Sequence, residues 1–277
     1  MSDQHSIIEH YGTIEMIDRV EEAFRLAGHG DGVIPWEALA PLDQFHFRGY
    51  AATSELGKRL SVKPGDHVLD VGCGLGGPAR HLASVYECFV TGIDLSQPFI
   101  GLATMLSRRT GLSDRVRHLC ADALQLPFGA ASFDLAVTQH VSMNIADKSR
   151  FYAGIHRVLR PGGLLAIYDI VSGEGGSLHF PVPWARHPEN SFLTDHKAMK
   201  TAIETAGFVV RDWIDQTEVA VAWWEAQAAR RVSGAVPAGL ALPLIMGPEF
   251  PVMAANLGRN LVERRARLIQ AIVERPA

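Results

Sequence analysis

The chain is 277 residues long, near the upper size for a single hydrophobic core, so one domain with embellishments is expected rather than two equal ones. Hydrophobic residues make up 47% and charged residues 20%, the balance of an ordinary globular protein. A net charge of -4 makes no electrostatic case for nucleic acid, which calls for a basic face, so no nucleic-acid partner is expected.

Three cysteines, Cys73, Cys88 and Cys120, lack any Cys-x-x-Cys pairing. They argue against a disulfide framework and against zinc, and they fit a reducing cytosol, so no metal site is expected. The opening Met-Ser-Asp-Gln-His-Ser lacks the charged-then-apolar pattern of a signal peptide. The most apolar late stretch, residues 235–246, is interrupted by Pro237, Gly239 and Pro243, too broken for the roughly 20-residue span of a membrane helix. A cytoplasmic protein without a membrane span is expected.

In chain order, Ile7, Tyr11, Ile14, Ile17 and Phe24 recur at helical spacing and predict an amphipathic helix over residues 6–27, broken near Gly12. Residues 28–35 are a glycine-rich break. The run Asp43-Gln-Phe-His-Phe-Arg-Gly49 precedes a helix over 51–60, and Lys63-Pro-Gly-Asp66 is a turn. Strand-like runs then alternate with helical ones. The strands are 67–71, 88–94, 116–120, 133–138 and 163–170, and the helices 78–86, 98–111 and 148–159. Such alternation implies crossover connections and a doubly wound, mostly parallel sheet of α/β class. Arg160-Pro-Gly-Gly163 reads as a helix stop followed by a strand.

Beyond residue 170 the rhythm changes. Residues 180–184, Phe-Pro-Val-Pro-Trp, are extended and proline-fixed. A helix capped by Thr194 or Asp195 runs to 206, and a strand covers 208–214. A long segment, 219–266, is rich in Trp, Met, Leu and Pro. Residues 268–275 alternate as a closing strand. Within 263–267, the dense basic run Glu-Arg-Arg-Ala-Arg reads as the solvated face of a C-terminal helix.

The most informative stretch is Val68-Leu-Asp-Val-Gly-Cys-Gly-Leu-Gly-Gly-Pro78, a buried strand entering a helix through glycines that admit a ligand close to the main chain. Gly72, Gly74 and Gly77 also satisfy the dinucleotide pattern G-x-G-x-x-G, so a nicotinamide-dependent dehydrogenase is a rival reading. Asp70 decides between them. A carboxylate ahead of the first glycine repels a pyrophosphate and attracts an ammonium. S-adenosylmethionine (SAM) carries that ammonium and no phosphate.

Five motifs stand in order: Asp70-Val-Gly-Cys-Gly-Leu-Gly, Gly92-Ile-Asp-Leu-Ser96, Ala121-Asp-Ala-Leu-Gln-Leu-Pro-Phe128, Ser132-Phe-Asp134 and Arg157-Val-Leu-Arg-Pro-Gly-Gly163. Together they resemble the class I SAM-dependent methyltransferases, in particular the small-molecule branch. That branch holds ubiquinone and menaquinone C-methyltransferases, sarcosine/dimethylglycine N-methyltransferases and natural-product sugar O-methyltransferases. The resemblance covers residues 60–170 firmly and the flanks loosely. It implies a seven-stranded Rossmann-like sheet, SAM as cofactor and S-adenosylhomocysteine as product. It also implies that Asp70, Gly72, Cys73 and Gly74 hold the methionine portion, that Asp94 accepts the ribose hydroxyls, and that Leu95 packs on the adenine. Asp122 and the Ala123 N–H would meet the adenine edge, and Tyr11 would close over the cofactor. Asp94 and Asp122 also suit helix caps or turns, and Cys73 suits a small filler between glycines with no visible base to activate its thiol.

Ligands of an open parallel sheet collect beyond the carboxyl ends of its strands. The fourth strand runs into Gln139-His-Val-Ser-Met-Asn-Ile145, which places Gln139, His140, Met143 and Asn144 near the transferred methyl. Gln139 is assigned to the cofactor, and Met143 and Asn144 to the substrate. His140 is the candidate base, its alternative being a hydrogen bond to a loop carbonyl or to the cofactor. His46, His179 and His196 are expected at or outside the pocket rim.

Trp184, Trp223 and Met246, with Trp224, Leu244 and Met253, form an apolar set expected to shape the acceptor site. Their alternative is padding of the core or of a homodimer face. The expected organisation is an N-terminal helical cap (1–60), a SAM-binding core (61–218), a helical lid (219–266) and the closing strand (267–277). The expected activity is methyl transfer to a small, partly apolar acceptor, oxygen ahead of nitrogen or carbon. A SAM-binding protein of the same fold without transfer activity is the reading from another class.

Overall fold

The computed structural model describes residues 16–30, 32–232 and 240–277. Helix α1 (Met16–Leu26) buries Met16, Val20 and Phe24, one stripe of a helix whose other face is charged. Tyr11 and the expected break near Gly12 lie outside the described residues. A helical turn at Trp36–Leu39 leads into the short α2 (Ala40–Asp43) and then α3 (Tyr50–Leu60).

The core follows as β1 (His67–Val71), α4 (Gly77–Tyr86), β2 (Phe89–Asp94), α5 (Gln97–Arg109), β3 (Val116–Cys120), β4 (Phe133–Gln139), α6 (Lys148–Val158) and β5 (Leu159–Ser172). After it come α7 (His196–Thr205), β6 (Val209–Asp215), α8 (Thr217–Val232), α9 (Pro243–Met246), α10 (Phe250–Val262) and β7 (Ala266–Glu274). The seven strands lie in the order β3-β2-β1-β4-β5-β7-β6, with β7 antiparallel to both its neighbours. The chain direction of winding reverses between β1 and β4, so a crevice opens there beyond the strand ends.

Apolar clusters cover both faces of the sheet. One joins α3, α4 and α10 to β1, β4 and β5, and includes Leu56, Leu82, Val137 and Leu257. The other joins α6 and α7 to the same strands through Phe151, Ile155, Met199 and Ile203. A third holds α1 and α2 against α5 through Phe24, Leu42, Phe99 and Leu102. Strand residues such as Leu69, Ala136 and Ile167 are fully buried, as a sheet covered on both faces requires.

Two expectations are corrected. The basic run at 263–267 does not sit on a helix face: α10 ends at Val262, Arg264 takes a left-handed φ of 58°, and β7 begins at Ala266. Its arginines instead bind across the turn, Arg265 to Glu263 and Arg267 to both Glu174 and Asp215. The Arg160-Pro-Gly-Gly163 segment does not precede its strand but belongs to it. Pairing starts at Leu159 opposite Phe133, slips by an irregularity, and resumes at Leu164 opposite Leu135. Gly162, at φ 78°, donates to Arg275 O at 2.8 Å, which ties this bulge to the end of the chain. Asp195 rather than Thr194 caps α7, accepting from the N–H groups of Lys197 and Ala198 at 2.8 Å each.

Candidate active site

A cleft of about 1170 Å³, open solvent at its mouth included, lies at the reversal between β1 and β4. The glycine loop after β1 forms one wall. Gly72 and Cys73 both donate to Ile93 O, at 2.8 and 2.9 Å, so the loop is laced to the end of β2. Gly72 has φ 74°, and a Cβ there would collide with Val141 Cγ2, the residue that begins the loop after β4. The glycine is therefore needed for a loop-on-loop approach as much as for room beside a ligand. Gly74, at φ 52°, donates to Asp94 Oδ2 at 3.0 Å, while Ser96 N donates to Oδ1 at 2.9 Å.

Asp70 stands behind this loop, buried, with Oδ2 lacking any hydrogen-bond partner. Burial, and secondarily the nearby Asp94, push its carboxyl up to about 7 despite the pull of Arg80. An unpaired buried carboxylate is costly, and a ligand ammonium is the group that would satisfy it. A pyrophosphate would add repulsion instead. Asp122 lines the same end of the cleft, and its Oδ1 accepts from Leu124 N at 2.8 Å, so it shapes its own turn as well. With Leu95, Ala121 and Ala123 along the wall, the residues present suit SAM: a cation pocket, two carboxylates for hydroxyl and amino groups, and an apolar slot.

Cys73 lines the loop too. Its Sγ lies 3.7 Å from His118 Nδ1, a neighbour the sequence did not disclose. Burial, then Asp70 and Asp94, push the thiol well above its ordinary range, so it stays protonated. Among the described residues no group of three His, Cys, Asp or Glu is placed to hold a metal ion.

The other end of the cleft differs. Met143, Ile145, Pro183, Trp184, Leu242, Met246 and Phe250 line it, while Phe45 lies over Gly74 and edge-on to Phe99, and among the described residues no lysine or arginine lines the cleft. The polar groups of this end are Gln139, Asn144, His46 and His140. His140 follows β4 directly, with a left-handed φ of 55°, and its ring stacks on Tyr168 with centroids 5.5 Å apart. Its Nε2 is buried without a partner. Burial, and next the neighbouring His46, hold the imidazole well below 6.5, hence neutral at pH 7.

Below this end, the loop 142–145 is clamped from beneath. Lys148 Nζ donates to the carbonyls of Ser142, Ile145 and Phe192, and Asp169 accepts from Ser142 N at 2.9 Å. Arg80 ties the N-terminal segment that leads to His46 to the glycine loop. Its guanidinium donates to Leu75 O in the glycine loop and to Asp43 Oδ2, at 2.7 and 2.6 Å, and Asp43 lines the cleft from the N-terminal segment.

Comparison with known proteins agrees with this geometry. A family model described as "Methyltransferase domain" matches residues 69–167. The O-methyltransferase cnsE of Penicillium expansum is 36% identical over 189 residues, 66% of this chain and 66% of that protein. A sterol 24-C-methyltransferase, ERG6B of Gibberella zeae, is 35% identical over 114 residues, 41% of this chain and 30% of that protein. Phosphoethanolamine N-methyltransferase 2 of Haemonchus contortus, solved with SAM, superimposes over 100% of this chain and 60% of that one, at TM-score 0.73 and 19% identity. The chain belongs to the class I SAM-dependent methyltransferases. It spans 66% of the length of the first of these relatives and 30% of the second.

In this methyltransferase the expected site residues Asp70, Gly72, Cys73, Gly74, Asp94, Leu95, Asp122, Ala123, Gln139, His140, Met143, Asn144, Trp184 and Met246 all line one cleft. Trp223 does not. It packs edge-on against Phe47, centroids 5.2 Å apart, on the core cluster beneath α3, and Trp224 fits so closely over Gly258 that a Cβ there would overlap its ring. Met253 is buried in α10 and Leu244 packs beside Ile245. The segment 219–266 thus meets the cleft through Leu242, Met246 and Phe250, while its tryptophans serve the core. Tyr11 lies outside the described residues.

His46 corrects another expectation. It sits in the cleft rather than at its rim. His179, by contrast, is not on the cleft wall and pairs with Glu263 at 2.8 Å. Sequence reasoning also missed Asp43, Phe45, Phe99 and Phe250. The run 43–49 was noticed, but nothing in its spacing says that it folds over a loop almost thirty residues further on.

Proposed function

We propose that the protein transfers the methyl group of SAM to a hydroxyl oxygen of a small, uncharged, largely apolar acceptor. The observation that carries this reading is the composition of the acceptor end: two neutral imidazoles at its floor, apolar walls, and no cation among its described residues. A neutral amine needs no base, whereas a hydroxyl has a proton to lose, and an imidazole is suited to take it near neutral pH. A phosphate- or carboxylate-bearing acceptor would want a lysine or arginine partner.

SAM supplies an electrophilic methyl on a good leaving group. The chain aligns the acceptor oxygen and excludes water, which together contribute roughly 7–11 kcal/mol. Asp70 and the Asp94-bound loop hold the cofactor, Leu95 and Ala123 enclose its base, and Gln139 sits between the two ends. Met143, Asn144, Trp184 and Met246 form the acceptor wall. By its place at the end of β4, His140 is the first candidate for contact with the reacting oxygen.

C-methylation is the second reading, favoured by the sterol C-methyltransferase among the relatives. Incubation with tritiated SAM and a panel of naphthol, naphthylamine and a sterol separates the readings, with label expected on naphthol oxygen. Label on the amine or on sterol carbon alone would remove the oxygen assignment. His140→Ala is expected to lower turnover by about 100-fold at unchanged SAM affinity. Because burial holds both His46 and His140 below 6.5, neither ring is protonated near neutral pH, and the wild-type rate should fall only in acid solution. Weakened SAM binding with normal turnover at saturation would move His140 to the cofactor pocket.

A further inference from the structure

His46 has a partner arrangement that His140 lacks. Its Nε2 lies 2.9 Å from Gly49 O and 2.9 Å from Thr53 Oγ1. A carbonyl only accepts, so Nε2 carries the proton. Thr53 agrees with that polarity, since its own hydroxyl donates to Gln44 Oε1 at 2.8 Å and leaves its oxygen to accept from the ring. In the neutral imidazole the lone pair is then on Nδ1, the nitrogen left over for a ligand. The ring lines the cleft, its centroid 6.1 Å from that of His140 and 6.0 Å from that of Tyr168, edge-on to both. His140 Nε2, meanwhile, is sealed and unpartnered.

We infer that His46 is a further catalytic residue, the imidazole whose Nδ1 takes the proton of the acceptor hydroxyl, and this rests on the oxygen-transfer reading above. The proton passes from oxygen to Nδ1, the oxygen's electron pair forms the new bond to the methyl carbon, and the pair of the breaking carbon–sulfur bond stays on sulfur. The imidazolium that forms is held at Nε2–H by Gly49 O and Thr53 Oγ1, both of which favour the charged ring. The Gly49 carbonyl thus does for His46 what a carboxylate does in a charged relay: it sets the tautomer and the ring's orientation.

The groups around the ring leave that assignment intact. His140 and Tyr168 face it from β4 and β5, Gln44 and Thr53 from its own side, and Gln139 reaches Thr53 at 3.5 Å. The ion pair of Arg48 with Glu55 lies on the Tyr168 side and is internally neutral. Burial lowers the free ring to about 4, so it enters the reaction unprotonated near neutral pH.

Two measurements test this on the full chain with S-adenosylhomocysteine or SAM bound. Long-range proton–nitrogen NMR of the wild type should show His46 as the Nε2–H tautomer, with the Nδ1 resonance moving on addition of naphthol. Thr53→Val should keep that tautomer, because Gly49 O still accepts from Nε2–H. With tritiated SAM and naphthol, His46→Gln should lower turnover about 100-fold at unchanged SAM affinity and melting temperature, and Thr53→Val about tenfold with a shifted acid limb. A His46→Gln variant as fast as wild type, or a wild-type ring protonated on Nδ1, overturns the assignment and leaves oxygen transfer standing. Wild-type transfer to naphthylamine but not to naphthol overturns both.

Discussion

The two ends of the cleft are built on different principles. The end we assign to the cofactor comes from residues 70–74, 94–95 and 121–123, each at the carboxyl end of a neighbouring parallel strand. Its chemistry is anionic and its parts are locked by the loop's own N–H groups, Gly72 and Cys73 donating to Ile93 O and Gly74 to the Asp94 carboxylate. The end assigned to the acceptor is gathered from His46, 139–145, 183–184 and 242–250, of which only Gln139 belongs to a strand. Its chemistry is apolar and imidazole, and its parts are held by side chains: Lys148 under the 142–145 loop, and Arg80 on Asp43 in the segment that leads to His46. A cofactor common to many reactions is held by the invariant geometry of a sheet. The acceptor is read by loops, which a sheet leaves free to differ.

The sharpest way to break this division is at its joint. Arg80 and Asp43 are 1% and 2% exposed at their side chains, and removing one member of such a pair leaves a buried charge alone. Arg80→Leu is expected to cost about 3–5 kcal/mol by chemical denaturation and to loosen both ends together. If only SAM affinity suffers, the N-terminal segment is anchored independently of the glycine loop.

Next in size is Trp223→Ala. Because the ring is half-buried on Phe47, the loss should fall at or below the lower end of the about 3–5 kcal/mol seen for buried aromatics. Acceptor preference should be unaltered, whereas Met246→Ala, in the cleft wall, should change acceptor affinity while SAM binding stays within a few-fold. An altered acceptor profile in the Trp223 variant would return that residue to the site.

Asp94→Ala tests the cofactor end alone. It removes ligand hydrogen bonds to a charged group, worth roughly 1.5–3 kcal/mol, and also frees Gly74 N and Ser96 N. SAM and S-adenosylhomocysteine should both weaken by about tenfold or more, measured by calorimetry. Equal affinity in a folded variant would take Asp94 out of the site.

The smallest effect is a pH dependence. Asp70 has its carboxyl raised to about 7 without ligand, and pairing with an ammonium lowers it, so the complex holds fewer protons than the free protein. SAM affinity should therefore be level above pH 7 and fall below it, by at most about tenfold per pH unit. Calorimetry in buffers of different ionisation heat should record proton release near pH 7. Absence of release would place the ammonium elsewhere.

The core strands and helices, the glycine loop, and the place of Asp70, Asp94 and Asp122 in one cleft were legible from residue order because they obey local rules. Alternation of buried strands with amphipathic helices sets the sheet, and a strand end in a parallel sheet points into the crevice whatever else surrounds it. Strand β1 has the bounds expected from the pattern Val-Leu-Asp-Val, and so does β3. The basic run at 263–267 misled because its composition suits both a solvated helix and a turn with cross-chain ion pairs, and only the neighbours Glu174, Asp215 and His179 distinguish them. Tryptophan at 223 and at 184 have the same chemistry in the sequence. Tertiary structure packs Trp223 against Phe47, away from the cleft, and sets Trp184 both in the buried core cluster and on the cleft wall beside Pro183. His46 shows the limit most plainly. Its residue type announces a proton carrier, but its place in the cleft, its tautomer and its pairing with His140 depend on contacts with Gly49, Thr53 and a strand end almost a hundred residues away, which no local pattern encodes.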